Sequence, residues 1–184
     1  MIIDLDDIKE QGLSLELMEA FDHFPALNEL QADGEVVFLQ PLDIRLMARK
    51  FEGMVIVEGS VATVVRLQCC RCLQEFEQPL DATFSITYAR QLPAMEEGGD
   101  GAEVELQADD LGMLAFEGDE IDLTETVQEQ VVMAMPFKPL CREDCQGLCS
   151  QCGADLNDGD CGCRDQAMDG KFAALKDFKV KKTD

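Results

Sequence analysis

Between Cys141 and Cys163 the chain reads CREDCQGLCSQCGADLNDGDCGC, with six cysteines in one short stretch. Three more, Cys69, Cys70 and Cys72, stand together as CCRC, completing the nine in the chain. Two thiolates spaced C-x-x-C can converge on one ion at about 2.3 Å from each sulfur. Gly153 follows the pair Cys149 and Cys152 and permits the tight turn that aims backbone N–H groups at the sulfurs. A lone C-x-x-C says little. Two such pairs with further cysteines in reach point to metal.

Tetrahedral zinc takes four protein ligands, so the pairs must combine. Cys161 and Cys163, separated by Gly162, are the nearest partners for Cys149 and Cys152 and give one local four-cysteine set. Cys141 and Cys145 then remain in the tail, and Cys69 and Cys72 form a C-x-x-C pair at the end of an expected strand. The reading adopted is a second set of Cys69, Cys72, Cys141 and Cys145, clipping the tail onto a sheet and coupling metal uptake to folding. Spacing alone also leaves open a single site drawing on Cys141 or Cys145 with Cys149, Cys152 and Cys161. Cys70 is left over and is expected on the opposite strand face as a buried core thiol.

Four thiolates saturate zinc and leave no open position for water, so one or two structural zinc ions are expected. Iron–sulfur clusters use the same donors, but the spacing fits no ferredoxin run. Thiol–disulfide exchange is the rival chemistry; it favours a helix N-terminus beside the thiol, whereas Cys149 lies in a Gly-rich loop. His23 is the only histidine, which removes most His-based hydrolytic schemes. No P-loop, GxGxxG or GxSxG occurs. The expectation is a protein without catalytic residues.

The 38 acidic residues against 15 basic ones give a formal charge of −23. Such a surface repels phosphate backbones and attracts basic proteins. The Lys-rich end, from Lys171 to Lys182, is the one basic cluster and the only place for local RNA contact. The N-terminus MIIDLDDIKE carries acids where a signal peptide needs bases, and no run approaches the roughly 18 apolar residues of a membrane span. A cytoplasmic protein with reduced thiols and no membrane contact is expected.

The elements that must hold the cysteines follow from periodicity. Leu13, Leu17, Ala20 and Phe24 fall at helical spacing, and Asp33-Gly34 marks a turn. From Val36 to Tyr88 the period is two, in three long runs: Leu42 to Leu46, Val55 to Leu67, and Leu80 to Tyr88. These predict an antiparallel meander with one buried face. Glu96 to Gly101 reads as a solvated loop, and Glu103 to Glu117 as one or two short strands. Ile121 to Met135 returns to helical spacing, with Asp122 and Glu125 placed as a capping box and Pro136 ending the helix. Asp169 starts a last short helix carrying Phe172, Leu175 and Phe178. The fold class is α+β: residues 1–136 form a domain around an antiparallel sheet, and residues 137–184 a Cys-rich, zinc-binding tail ending in a short helix.

The run VVRLQCCRCLQEFEQPL, with Cys69, Arg71 and Cys72, resembles the C-x-R-C motif of the YceD family. DEIDLTETVQEQVVMAMPFKPLC resembles that family's acidic stretch leading to a helix and a proline. LCREDCQGLCSQCGADLN, then CGC and DGKFAALKDF, resembles its longer, cysteine-rich members. The likeness covers most of residues 35–180 and departs at Lys171, where arginine is expected, and at the extra Cys70. It implies a role in accumulation of large-subunit ribosomal RNA and in ribosome assembly, without an established enzymatic activity. A binding partner such as a basic ribosomal protein or a large-subunit assembly intermediate fits both the likeness and the charge.

Overall fold

The computed structural model describes residues 1–90 and 113–163. Its centre is a meander of three long strands: β4 (Leu42–Phe51), β5 (Met54–Gln68) and β6 (Glu75–Ala89). Valines, isoleucines and threonines dominate β5, and its inward positions Val55, Val57, Val61, Val65 and Leu67 are buried. Such branched side chains suit a pleated, half-buried surface. The β4–β5 connection has two residues, Glu52 (φ 49°) and Gly53 (φ 82°). Both lie in the left-handed region, so the turn twists with the strands it joins.

β2 (Leu13–Glu19) pairs antiparallel with β4, and β3 (Val37–Phe38) pairs with β5 beyond the end of β4. β7 (Met113–Ala115) lies parallel beside β6. A separate two-stranded ribbon joins β1 (Ile2–Asp4) to β8 (Glu120–Asp122). Helices α1 (Pro25–Ala32) and α2 (Thr124–Ala134) pack onto the inner face of the sheet. Phe24 and Leu27 from the α1 region meet Leu123, Val127 and Val131 from the α2 region and the buried strand residues in one core. Full burial of each such side chain contributes roughly 1.5–3 kcal/mol. The outer sheet face carries Arg45, Arg49 and Arg66, each within ion-pair distance of an acidic neighbour. Exposed pairs of this kind contribute about 0–1 kcal/mol each.

The sheet is mixed only through β7, and the three long strands match the alternation in the sequence. Residues 13–24 differ from expectation: they form β2 and a 3-10 turn over Phe21–His23, not a helix. Leu13, Leu15 and Leu17 share one strand face, and a seven-residue register with β4 satisfies the backbone. Tertiary pairing thus overrides the weak helical spacing. The helix begins only at Pro25, whose fixed φ suits a first turn. At its end, Gly34 (φ 76°) sits where Glu35 N–H reaches Leu30 C=O at 3.1 Å and Gly34 N–H reaches Gln31 C=O at 3.1 Å, a Schellman stop.

α2 is shorter than the spacing suggested because β8 holds Ile121 and Asp122 in a strand. Leu123 is the residue before the helix, and the expected capping box does not form there. Asp122 Oδ1 instead accepts from Thr124 N–H at 2.9 Å and from Thr124 Oγ1 at 2.6 Å. Met135 is already extended, as the residue before a proline prefers. The loop at 96–101, the segment 103–112, the final helix from Asp169 and the Lys-rich end lie outside the described residues.

Candidate metal centre

The last residue pair of the β5–β6 ladder is Gln68 with Glu75, so residues 69–74 form the tip of the longest hairpin. Cys69 N–H donates to Gln74 C=O at 2.9 Å, and Leu73 N–H donates to Cys69 C=O at 3.0 Å. In the tail, Cys149 N–H donates to Ala154 C=O at 2.8 Å and Gly153 N–H to Cys149 C=O at 2.9 Å. The two C-x-x-C segments are therefore the same knuckle used twice. Each has a left-handed residue after its second cysteine, Leu73 (φ 61°) in one and Gly153 (φ 73°) in the other. Sequence inspection finds only the second, because Leu73 carries no glycine signal.

Cys69, Cys72, Cys141 and Cys145 place their four sulfurs within 4.8 Å of one another, and so do Cys149, Cys152, Cys161 and Cys163. Cys69 Sγ lies 3.8 Å from Cys145 Sγ, and Cys72 Sγ lies 3.6 Å from Cys141 Sγ. A tetrahedral ion at about 2.3 Å from each sulfur sets its ligands roughly 3.8 Å apart. All nine cysteines are free of disulfides. Each tetrad could hold one metal ion, and four sulfurs without carboxylate or imidazole are a donor set for zinc or iron. The sulfurs thus gather into two sets, one joining the hairpin tip to the tail and one within the tail.

The two tetrads sit in different surroundings. Cys69, Cys72 and Cys145 are buried, Cys141 is half-buried, and Phe76, Leu140 and Leu148 pack around them. Cys149 and Cys161 are half-buried, while Cys152 and Cys163 are exposed. Cys70 is also exposed, against the expectation of a core thiol. Strand alternation stops at Gln68, so the rule that would have turned Cys70 inward no longer applies. Its N–H donates to Pro139 C=O at 2.9 Å, one of the contacts that tie the tail to the hairpin tip.

Arg71 adds two more of these ties. Its Nη1 donates to Cys145 C=O at 2.8 Å, and its own C=O accepts from Leu148 N–H at 3.0 Å. Gly147 (φ 75°) passes so close that a Cβ there would meet the Arg71 carbonyl oxygen at 3.0 Å. Asn157 holds the two halves of the tail together: its Oδ1 accepts from Gln146 N–H at 2.8 Å and from Arg142 Nη2 at 2.7 Å, and its Nδ2 donates to Cys145 Sγ at 3.5 Å. In the sequence Arg71 stands out only as part of the C-x-R-C motif, without a role, and Gly147 and Asn157 have no signature that gives them a place in the site. His23 belongs to neither tetrad: it is exposed, with Nδ1 2.7 Å from Glu19 Oε2.

Each tetrad contains one thiol that ionises easily and another that resists. Burial pushes the Cys69 thiol up, but N–H groups of Cys141, Cys72 and Arg71 prevail and bring it down from 9.0 to about 6. Burial, joined by Cys72, Cys145 and Cys69, pushes Cys141 up to about 12. The N–H groups of Cys152 and Gln151 bring Cys149 down to about 6, whereas contact with Cys152 and Cys161 pushes Cys163 up to about 12. The knuckle stabilises a first thiolate at Cys69 and at Cys149, whereas Cys72 and Cys141 in one tetrad and Cys161 and Cys163 in the other are pushed up. A divalent cation is what removes that opposition.

A sheet whose longest hairpin ends in half of a cysteine tetrad, completed by a cysteine-rich tail, defines an α+β protein with two candidate metal centres. The family model described as Large ribosomal RNA subunit accumulation protein YceD matches residues 57–179, a span that includes all eight tetrad cysteines. The chain belongs to the YceD family. An uncharacterized protein of Mycobacterium tuberculosis is 31% identical over 134 residues, covering 73% of this chain and 60% of that relative. A chloroplastic Large ribosomal RNA subunit accumulation protein YCED homolog 1 from Zea mays is 26% identical over 151 residues, covering 71% of this chain and 51% of its own length. The homolog 1 from Arabidopsis thaliana is 25% identical over 141 residues, covering 67% of this chain and 44% of its own length. The chain thus spans about half to 60% of the first two of these relatives. No solved structure matches it. Among the described residues, no helix is long and apolar enough to cross a membrane.

Proposed function

We propose that this protein is a non-enzymatic factor promoting accumulation of large-subunit ribosomal RNA, and hence assembly of the large ribosomal subunit in the cytoplasm. Family membership is the observation that carries the reading: the matched span runs from β5 through both tetrads, and the maize and Arabidopsis relatives bear this function in their names. The partner is a basic ribosomal protein or an assembly intermediate containing one, because a formal charge of −23 favours a basic chain over bare RNA. The body, residues 1–136, supplies the sheet. The tail, residues 137–184, is fixed to it by structural zinc.

In this reading Cys69, Cys72, Cys141 and Cys145 bind one zinc, and Cys149, Cys152, Cys161 and Cys163 a second. Sulfur separations of 3.6 and 3.8 Å support the first assignment. Bound zinc supplies a fixed crosslink and no open coordination position. The chain's own groups do the rest: Arg71 and Asn157 hold the ligand-bearing segments in register, and the two knuckles direct N–H groups at the sulfurs.

Sucrose-gradient profiles of cells lacking the protein test the function. A selective shortage of large subunits and their RNA is the expected result, and an unchanged profile rejects the reading. Metal analysis of protein purified without chelators tests the sites. Two zinc ions per chain are expected, falling to one in Cys72→Ser and in Cys152→Ser. Metal-free, readily oxidised cysteines reject the zinc assignment in favour of thiol redox chemistry.

A further inference from the structure

Away from the tetrads, the exposed face of α2 is divided in charge along its length. Glu125 and Glu129 occupy its first turns, and Val132 and Met133 continue the same face in the last turn. Beyond Pro136, the Phe137 side chain is 95% exposed, Met133 is 67% exposed and Val132 is 40% exposed. Leaving a phenylalanine and a methionine in water forgoes the burial that each would gain against a partner. Contiguous apolar patches of this kind mark interaction sites.

Beside the acidic half of α2 runs a groove of about 270 Å³. Its floor is Tyr88, whose hydroxyl lies 2.5 Å from Thr126 Oγ1, and its far wall is Leu114 on β7. Asp122, Glu125 and Glu129 line its rim. Burial raises the Tyr88 pKa, the Thr126 contact opposes this, and Glu129, Asp122 and Glu125 raise it further by their charge. The groove's rim carries three carboxylates, and Val132 and Met133 follow Glu129 one turn further along α2.

We infer that the groove between α2 and β7, together with Val132, Met133 and Phe137, is the docking surface for a basic polypeptide segment bearing a bulky apolar side chain. Lysine or arginine of the segment faces the three carboxylates, and its apolar residue covers Met133 and Phe137. Charge decides the occupant. Residues 91–112, which precede β7 in the chain, contain Glu96, Glu97, Asp100, Glu103, Glu105, Asp109 and Asp110 and no lysine or arginine. They do not complement the rim, and neither does nucleic acid. The inference rests on the assembly reading, for which it specifies the contact surface.

The test uses the full-length, metal-loaded protein and individually purified proteins of the large ribosomal subunit, with binding followed by fluorescence anisotropy. At least one basic protein should bind, with affinity falling as salt is raised. Phe137→Ser and Met133→Ser, both at exposed positions, should each weaken it about tenfold. Glu125→Gln with Glu129→Gln should slow association several-fold and flatten the salt dependence. Absence of binding across the panel overturns the inference, as does unchanged affinity in the variants. Crosslinks from position 137 to residues 171–182 of the same chain would assign the groove to the Lys-rich end and also overturn it. Complementation of cells lacking the protein separates the two levels. Failure of the wild-type chain to restore large subunits rejects the assembly reading itself. Full restoration by Phe137→Ser rejects only the docking surface; the expected result is rescue by wild type and not by the variant.

Discussion

Gly147→Ala addresses the contact that couples the tail to the hairpin. Gly147 has φ 75° and faces the Arg71 carbonyl oxygen, with an added Cβ at 3.0 Å from that oxygen and 3.1 Å from Arg71 Cβ. A left-handed alanine costs about 1–2 kcal/mol. Moving the carbonyl away weakens the 3.0 Å bond from Leu148 N–H, a further loss of about 1 kcal/mol. Strain felt only when the clip is closed appears in metal affinity, so a total of about 2–3 kcal/mol weakens zinc binding roughly 30- to 150-fold. Gly153→Ala is the internal comparison: its φ is 73°, but nothing lies within 4 Å of the added Cβ. There, backbone strain alone, about 1–2 kcal/mol, should weaken the local tetrad roughly 5- to 30-fold. Competition with a chromophoric chelator measures both effects, with Cys152→Ser leaving only the hairpin tetrad complete and Cys72→Ser only the local one. Equal losses at the two sites, or an unaffected hairpin site in Gly147→Ala, would refute the reasoning.

Three further outcomes follow from single residues. Leu73→Asn should raise stability by roughly 0.5–1 kcal/mol, because Leu73 is 53% exposed at φ 61° and asparagine tolerates that backbone; a lowered melting temperature would count against the equivalence of the two knuckles. Gly59→Ala puts a Cβ 2.5 Å from Leu46 Cδ2 and 2.6 Å from Phe84 Cζ. Urea unfolding should show a loss of about 1–3 kcal/mol with the metal count unchanged. The Thr124 hydroxyl and N–H hold the Asp122 carboxyl below its ordinary 3.8. Because the folded value is depressed, its contribution is complete above the unfolded value and is lost as pH falls through the folded one. Asp122→Ala should therefore cost about 0.5–1 kcal/mol at neutral pH, with the difference closing in acid below 3.8; a penalty constant across pH would reject the bond to Thr124 as its source.

Local spacing made much of this molecule legible. The knuckles are encoded within four residues each, and the three long strands announce themselves by alternation. A count of unmatched thiols suggests combining Cys69 and Cys72 with Cys141 and Cys145, but it leaves a single site within the tail open as well. What spacing does not carry is approach between distant segments. The Arg71 guanidinium on Cys145 C=O, Gly147 against the Arg71 backbone and Asn157 on Cys145 Sγ all depend on where the tail lands. The leucines of β2 fit two periods, and only pairing with β4 chooses the strand over the helix. Cys70 escapes the alternation rule because the strand ends one residue before the cysteines begin. The β1–β8 ribbon joins residues about 118 apart in three short pairs, too little signal to see in advance.

The hairpin tetrad also has a direction in time. Cys72 and Cys141 are separated by 69 positions, so a chain emerging from the ribosome exposes the first two thiols long before their partners exist. The β5–β6 ladder, fifteen pairs long, is complete in sequence by Ala89, well before the tail cysteines. The later tetrad, confined to residues 149–163, closes within a few residues of its own appearance. Cys69 and Cys72 alone would offer an ion only half of a four-sulfur shell. The segment from Leu140 to Leu148 brings Cys141 and Cys145, which would complete that shell, and packs Leu140 and Leu148 against the thiols. With an ion in place, the hairpin site would act as a latch that sets only when both the body and the tail of the protein have been made.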